Sequence, residues 1–225
     1  KFIFSSPRKY VQGAGVLDEL GPYVAELGDN AFLVADDVVW KLIGERAQQA
    51  LQKAGVTFNW HQFNGEASSN EITRLSQLAK SQGCNVVVGL GGGKTLDTVK
   101  AVADELKQPV AIVPTIASTD APCSALSVIY SDSGVFESYR FYSKNPDLVL
   151  VDTAVCASAP ARLFASGIAD GLATWVEAQA VARSHSKSMV NGDPTIAGLA
   201  IARACEETLL TWGYSAYVAV TQKRV

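Results

Sequence analysis

The chain has 225 residues, of which 48% are hydrophobic and 18% are charged, so it can bury a substantial core and is not a disordered chain. Its 19 Lys and Arg residues against 22 Asp and Glu give a net charge of -3 without a basic stripe, which argues against a nucleic acid partner. No apolar run approaches the roughly 18 residues of a spanning helix, so we expect a soluble protein without a membrane partner. The 4 widely spaced cysteines predict reduced thiols and a cytoplasmic location.

Short runs rich in Val, Ile and Phe alternate with longer segments of helical period, a pattern typical of stacked βα units. In chain order, strands are predicted at 31–35, 57–63, 85–90, 110–114 and 148–151. Helices are predicted over 38–54, from Asn70 to the glycine stop at Gly83, and from Lys94 onward. The predicted class is therefore α/β with a largely parallel sheet.

Two segments depart from this repeat. Residues 126–130 and 136–142 flank a turn at Asp132-Ser133-Gly134, which predicts a β-hairpin projecting from the sheet. After Pro160 the character is helical, with helices predicted over 161–180 and from Pro194 to about Leu210. We therefore divide the chain near residue 158, into an α/β domain (1–157) and the beginning of a helical domain (158–225) that looks unfinished.

The strongest local signal is a strand that turns through Gly89-Leu90-Gly91-Gly92-Gly93 directly into a helix at Lys94. Such a turn aims free backbone N–H groups and the positive end of the helix dipole at one point, where a phosphate or pyrophosphate would bind. The spacing is not that of a Walker A loop, and Lys94 stands where the classical dinucleotide fingerprint has its third glycine. The alternative is a tight strand-to-helix turn without a ligand.

Two further segments suit a bound cofactor and a polyol. Asp36 follows the first predicted strand, where its carboxylate could accept hydrogen bonds from ribose hydroxyls, or could instead be solvated or cap the next helix. The segment over 113–122 is a loop after a strand, is rich in hydroxyl groups and carries Asp120, which suits a bound cofactor and a polyol. Its alternative interpretation is turn chemistry of Ser, Thr and Asp side chains.

Candidate metal ligands are few. His61 and His185 are the only histidines in the sequence, and we expect each of them, taken singly, to be structural and not a ligand. Asp170 lies in a run of small and apolar residues, where a charge needs a partner, so it is a candidate metal ligand. A continuous helix would place it about 22 Å from His185, so these two residues cannot share an ion.

These segments together resemble the glycerol dehydrogenases of the iron-containing (group III) alcohol dehydrogenase superfamily. The matching segments are Ser6-Pro7-x-Lys9-Tyr10-x-Gln12-Gly13-Ala14, Gly91-Gly92-Gly93-Lys94-Thr95-Leu96-Asp97-Thr98, the block over 114–130, Ala159-Pro160-Ala161-Arg162-Leu163, and Gly167-Ile168-x-Asp170-x-Leu172-Ala173-Thr174-Trp175. The block from Thr115 to Tyr130 is very specific, because it separates these enzymes from relatives that share only the glycine turn. The resemblance runs the whole length of the chain.

The resemblance implies a Rossmann-like parallel-sheet N-terminal domain followed by an all-helical C-terminal domain, with NAD and a divalent metal, usually Zn²⁺, in the cleft between them. The implied reaction is NAD-dependent, metal-assisted oxidation of glycerol to dihydroxyacetone in a cytoplasmic homo-oligomer. The implied NAD contacts are Asp36, Gly92, Gly93, Lys94, Asp97, Thr115, Ser118, Ser124, Leu126 and Tyr130. Asp120 would lie by the substrate and Asp170 would be the first metal ligand, which makes both catalytic.

One departure limits this expectation. The family completes its metal site with two histidines from a later helical region, which the 225 residues do not include, so we expect this chain alone to be inactive. The alternatives are a non-catalytic dinucleotide-binding fragment, or an enzyme with a phosphate-bearing substrate such as glycerol-1-phosphate dehydrogenase or dehydroquinate synthase. The loop from Thr115 to Asp120 is short of cations for such a substrate. We predict NAD over NADP, because Asp36 would repel a 2′-phosphate.

Overall fold

The apolar runs of the first part of the chain form a six-stranded sheet in a computed structural model that describes residues 1–224. The sheet strands are β1 (Tyr10–Gly13), β2 (Asn30–Ala35), β3 (Thr57–Gln62), β4 (Val86–Gly91), β5 (Val110–Pro114) and β8 (Leu148–Asp152). They are all parallel, in the order β1-β8-β5-β4-β2-β3. The predicted α/β class is confirmed. The predicted hairpin is also confirmed, as the antiparallel pair β6 (Leu126–Tyr130) and β7 (Phe136–Phe141).

Helices connect the strands and continue after the last of them. The helices are α1 (Leu20–Ala25), α2 (Asp37–Lys53), α3 (Ser69–Ser81), α4 (Gly93–Leu106), α5 (Thr153–Ala157), α6 (Ala161–Arg183) and α7 (Ile196–Thr221), with 3₁₀ turns at Val16–Glu19 and Ala121–Cys123. By the density of contacts the chain divides into two units. The α/β unit comprises Ser6–Ile116 and Ala121–Cys156, and the helical unit comprises Lys1–Ser5, Ala117–Asp120 and the residues from Ala157 onward. The domain boundary near residue 158 stays a prediction.

Both faces of the parallel sheet are covered by helices. Successive side chains of a strand point to opposite faces, so Leu33 packs with Ile43 of α2 on one face, whereas Phe32 packs with Leu96 of α4 on the other. Strands buried on both faces read as continuous apolar runs, which is why β2, β4, β5 and β8 were predictable.

The strand order places a topological switch point between β2 and β4. From β2 the chain runs outward to β3 at one edge, and then returns to the other side of β2 as β4. In open α/β sheets the crevice outside the carboxyl ends of the strands at such a point is where ligands bind. Here the two strands that border it end at Ala35 and Gly91.

The helical unit is built on the pairing of α6 and α7. A Cβ on Gly171 of α6 would lie 2.6 Å from Leu209 Cδ1 of α7, so glycine at this position allows the two helices to pack closely. Several large apolar side chains of this unit are exposed, among them Ile196 (89%), Tyr214 (82%) and Leu210 (71%). No helix within residues 1–224 is long and apolar enough to cross a membrane.

Several elements differ from the predictions, most of them by one residue at an end, and α1 and α5 were not predicted. Helix α7 runs to Thr221 and does not end near Leu210, because its contact with α6 continues to Gly213, which lies against Ile168. Helix α6 likewise extends to Arg183. Strand β1 was not predicted, since it is only four residues long and its side chains are exposed or half-buried, which leaves little pattern in the sequence.

Candidate functional site

The glycine turn joins β4 to α4 with little space around its backbone. Gly91 ends the strand, Gly92 is the N-cap, and α4 begins at Gly93. A Cβ on Gly91 would lie 2.8 Å from Thr95 Oγ1, and one on Gly92 would lie 2.8 Å from Ile116 Cδ1. Among residues 1–224 no side chain caps the first turn of this 14-residue helix, so its leading N–H groups are left for a ligand or solvent. Pyrophosphate binding at this turn stays a prediction.

The neighbouring strand brings Thr115 to this turn. Its backbone N–H donates to the Gly91 carbonyl at 3.0 Å, and its side chain is buried. The hydroxyl-rich loop therefore begins beside the glycine turn, as the pairing of Gly91 with Pro114 requires.

Asp36 lies at the same edge of the sheet. In the register between β2 and β4, Val34 pairs with Gly89, and the residues two positions further on are Asp36 and Gly91. Its carboxylate accepts a hydrogen bond from Val39 N at 2.8 Å and so caps α2. The capping alternative is thus confirmed, whereas the ribose contact stays a prediction.

Lys94 has a protein partner that the sequence did not indicate. Its ammonium forms an ion pair with Glu66, at 2.6 and 2.8 Å from the two carboxylate oxygens, and lies 5.2 Å from the centre of the Tyr130 ring. Glu66 precedes α3 in an irregular segment, without a pattern that would have singled it out. A phosphate bound by Lys94 would have to share the ammonium with this carboxylate, so the predicted contacts of Lys94 and Tyr130 stay predictions.

Asp97 is buried and faces the hairpin. Its carboxylate forms an ion pair with Lys100 at 2.8 Å and accepts a hydrogen bond from Val128 N at 3.0 Å. Burial raises the pKa of the Asp97 carboxyl, and the Lys100 ammonium partly opposes that rise. The structure therefore gives Asp97 a role in joining α4 to the hairpin, and its direct contact with a cofactor stays a prediction. Ser124 and Leu126 also contact Lys100.

The helical unit brings three other predicted residues together. Asp120 N donates to Asp170 Oδ2 at 3.0 Å, so the segment Ala117–Asp120 is hydrogen-bonded to α6. A Cβ on Gly167 would lie 1.9 Å from the Ala117 carbonyl oxygen and 3.1 Å from Ser118 Cα, so only glycine lets this segment lie so close to the helix. Asp170 was expected to need a partner in apolar surroundings, but its side chain is exposed and has this backbone N–H as its partner.

The described residues do not complete a metal site. Within residues 1–224 there is no group of three or more His, Cys, Asp or Glu side chains placed to hold an ion. His61 stacks on Phe32 and contacts Gln82 Oε1 at 3.0 Å, which agrees with the structural role predicted for it. A catalytic zinc takes three protein ligands, so Asp170 alone does not fit such a site.

The chain is similar in sequence and in fold to known dehydrogenases. A glycerol dehydrogenase from Pseudomonas putida is 53% identical over 215 residues, which cover 96% of this chain and 59% of that protein. A glycolaldehyde reductase from Halobacterium salinarum is 49% identical, over 99% of this chain and 61% of that protein. The crystal structure of glycerol dehydrogenase from Schizosaccharomyces pombe has a TM-score of 0.93 and 41% identity, over 99% of this chain and 56% of that one.

The chain thus spans about three fifths of the length of these relatives. The family model for iron-containing alcohol dehydrogenases matches residues 7–153, more than half of the chain. That segment contains β1 to β8 and the glycine turn. The chain therefore belongs to the iron-containing alcohol dehydrogenase family.

Proposed function

We propose that the protein is an NAD-dependent dehydrogenase that oxidises glycerol and related vicinal diols, with dihydroxyacetone as the product from glycerol. The observation that carries this proposal is the glycine turn, which leads into the uncapped N-terminus of α4 at the switch point of the sheet. The names of the relatives from Pseudomonas putida and Schizosaccharomyces pombe support the choice of substrate.

The residues of this chain would bind and orient the reactants. The N–H groups at Gly92 and Gly93, with the dipole of α4, would bind the pyrophosphate, and Asp36 would accept hydrogen bonds from the ribose. Bound NAD supplies the hydride acceptor. Asp120 would accept a hydrogen bond from a substrate hydroxyl. The remaining proposed cofactor contacts are Lys94, Asp97, Thr115, Ser118, Ser124, Leu126 and Tyr130.

We propose that a divalent metal, most simply Zn²⁺, takes part with Asp170 as one of its ligands. A complete site would need at least two further protein ligands, which the described residues do not offer, so we assign no step to the metal. We also propose that the protein is a cytoplasmic homo-oligomer. Its four free cysteines support a reducing compartment, and the exposed apolar side chains of the helical unit support an interface.

The test of this function is NADH formation by the intact protein. Supplied with Zn²⁺ and NAD, it should reduce NAD in the presence of glycerol, 1,2-propanediol or 2,3-butanediol, as followed by absorbance. NADH binding without turnover of any diol would favour a non-catalytic dinucleotide-binding protein. Turnover of glycerol 1-phosphate in place of the free diols would favour the phosphate-substrate alternative.

The relative from Halobacterium salinarum raises a second candidate, reduction of a small hydroxyaldehyde such as glycolaldehyde with NADH as the hydride donor. The same residues would bind the reactants of both reactions, because the hydride passes between the nicotinamide and the substrate carbon in both, in opposite directions. The ratio of kcat/KM for glycolaldehyde reduction to kcat/KM for glycerol oxidation, measured on one preparation, decides which reaction the enzyme favours.

Asp36 provides a test of cofactor choice. Asp36→Ser retains an oxygen that can cap α2 but removes the negative charge, so helix stability should change by less than about 1 kcal/mol. We expect the affinity for NAD to fall and the preference for NAD over NADP to decrease, because a 2′-phosphate no longer meets a carboxylate. Dissociation constants for both reduced cofactors, from nicotinamide fluorescence, check this. Unchanged values for both would remove Asp36 from the site.

A further inference from the structure

A buried lysine holds the segment that follows β5. Lys100 lies on α4 and is 4% exposed, although lysine is among the residue types that are least often buried. Its ammonium donates to the carbonyl of Ala121 at 2.9 Å, to Ser124 Oγ at 3.1 Å and to the carbonyl of Leu126, in addition to its ion pair with Asp97. One side chain of α4 therefore contacts three positions of a neighbouring segment.

These contacts account for the burial of the charge. An ammonium removed from water is stabilised only when a counter-charge and hydrogen-bond acceptors replace its hydration. The ammonium has three donors, and Asp97 together with the oxygens at 121, 124 and 126 offers an acceptor to each of them. Asp97 also contacts strand β6 directly. Its carboxylate accepts a hydrogen bond from Val128 N, and its main-chain carbonyl accepts one from Ser127 Oγ at 2.7 Å.

Residues 124 and 125 of this segment lie outside regular structure, and two other contacts also hold the segment, from Tyr142 N to the Ala125 carbonyl at 2.9 Å and from Asn145 Nδ2 to the Cys123 carbonyl at 2.8 Å. Between the 3₁₀ turn at Ala121–Cys123 and the start of β6 at Leu126, the backbone makes no helix or strand. Ser124 Oγ also donates to the Ala121 carbonyl at 3.3 Å, so the direction of this hydroxyl depends on the same set of contacts. Ser124 and Leu126 are two of the residues that we propose as NAD contacts.

We propose that Lys100 is a positioning residue for cofactor binding, which fixes residues 121–126 so that Ser124 and Leu126 can contact NAD. This rests on the function proposed above. Lys100 does not touch the cofactor itself, because its ammonium is turned toward the carbonyl groups of the segment.

The test compares Lys100→Met with Lys107→Met in the intact protein. Lys107 lies just after the same helix and pairs with Asp104 at the surface, so its substitution removes the same charge without touching residues 121–126. For Lys100→Met we expect NADH to bind about tenfold more weakly and the KM for NAD to rise by a similar factor, with kcat at saturating NAD within about twofold of wild type. Amides of 121–128 should exchange hydrogen faster. Lys107→Met should match wild type in each measurement.

The outcomes separate the two proposals. A wild-type protein that binds no NADH overturns the proposed function, whereas a wild type that binds NADH and a folded Lys100→Met that binds it equally well overturn the role of Lys100. If Lys100→Met does not fold, Lys100→Arg decides, since it keeps a charge opposite Asp97 while its bulkier planar head displaces the segment. It should weaken NADH binding at least about threefold. Wild-type affinity and exchange in the folded Arg variant would overturn the proposal.

Discussion

Asp170→Asn in the intact protein is expected to lower diol oxidation by about 100-fold or more while leaving the affinity for NADH within about twofold of wild type. Asp170 is the one carboxylate of the helical unit that we propose as a metal ligand, whereas the glycine turn and Asp36 belong to the α/β unit. Asn supplies no negative charge to a dication. The measurements are kcat/KM for glycerol, zinc per chain, and NADH fluorescence.

Asp170→Asn removes the negative charge of the side chain but keeps an oxygen that can accept a hydrogen bond. An amide oxygen can still accept the hydrogen bond that Asp120 N donates to Asp170 Oδ2, so the segment Ala117–Asp120 should keep its position. Glu177→Gln is the matched control, because this exposed residue lies on the same helix and loses the same charge. Full activity in Asp170→Asn, or equal losses in both variants, would contradict the assignment of Asp170 to the metal.

The glycine turn was predictable because its signal is local. A fully buried strand appears in the sequence as an apolar run, here β4. The glycines follow it directly and a helix begins at Gly93, so strand, turn and helix could all be predicted from neighbouring residues. The relation of Asp36 to that turn was not local. In the classical fingerprint the acidic residue follows the glycines, but here β2 precedes β4 in the chain and lies beside it in the sheet. Only the strand order brings the two ends together.

The buried lysine could not be predicted for a related reason. Lys94 and Lys100 lie about one and two thirds turns apart on α4. No sequence pattern shows that Lys94 is exposed and pairs with the half-buried Glu66 while Lys100 is enclosed. Burial of a charge depends on partners that are distant in the chain, in this instance the carbonyl groups at 121 and 126. Polar interactions of this kind need the tertiary structure before they can be recognised.

Asp152→Ala is expected to cost about 3 kcal/mol of unfolding free energy, because a buried carboxylate there joins distant parts of the α/β unit. Asp152 ends β8, is 1% exposed, and accepts hydrogen bonds from Gly15 N at 3.1 Å and Leu17 N at 3.3 Å. It also accepts one from Arg46 of α2 at 3.1 Å. Alanine would leave these donors without their acceptor. Urea unfolding of wild type and variant at pH 7 measures the difference.

The difference in unfolding free energy between wild type and Asp152→Ala should become smaller in acid. Burial alone would raise the pKa of Asp152, but the N–H groups of Gly15, Leu17 and Val155 and the charge of Arg46 lower it below its usual value. A carboxylate with a lowered folded pKa contributes stability above the unfolded value of about 3.9 and loses it as the pH falls through the folded pKa. Wild type should therefore approach Asp152→Ala in stability below about pH 4.

Asp18→Asn removes the exposed partner of the same arginine and should cost less than about 1 kcal/mol at pH 7, because water already screens that pair. An equal cost for both variants would show that the arginine, and not the buried carboxylate, accounts for the effect.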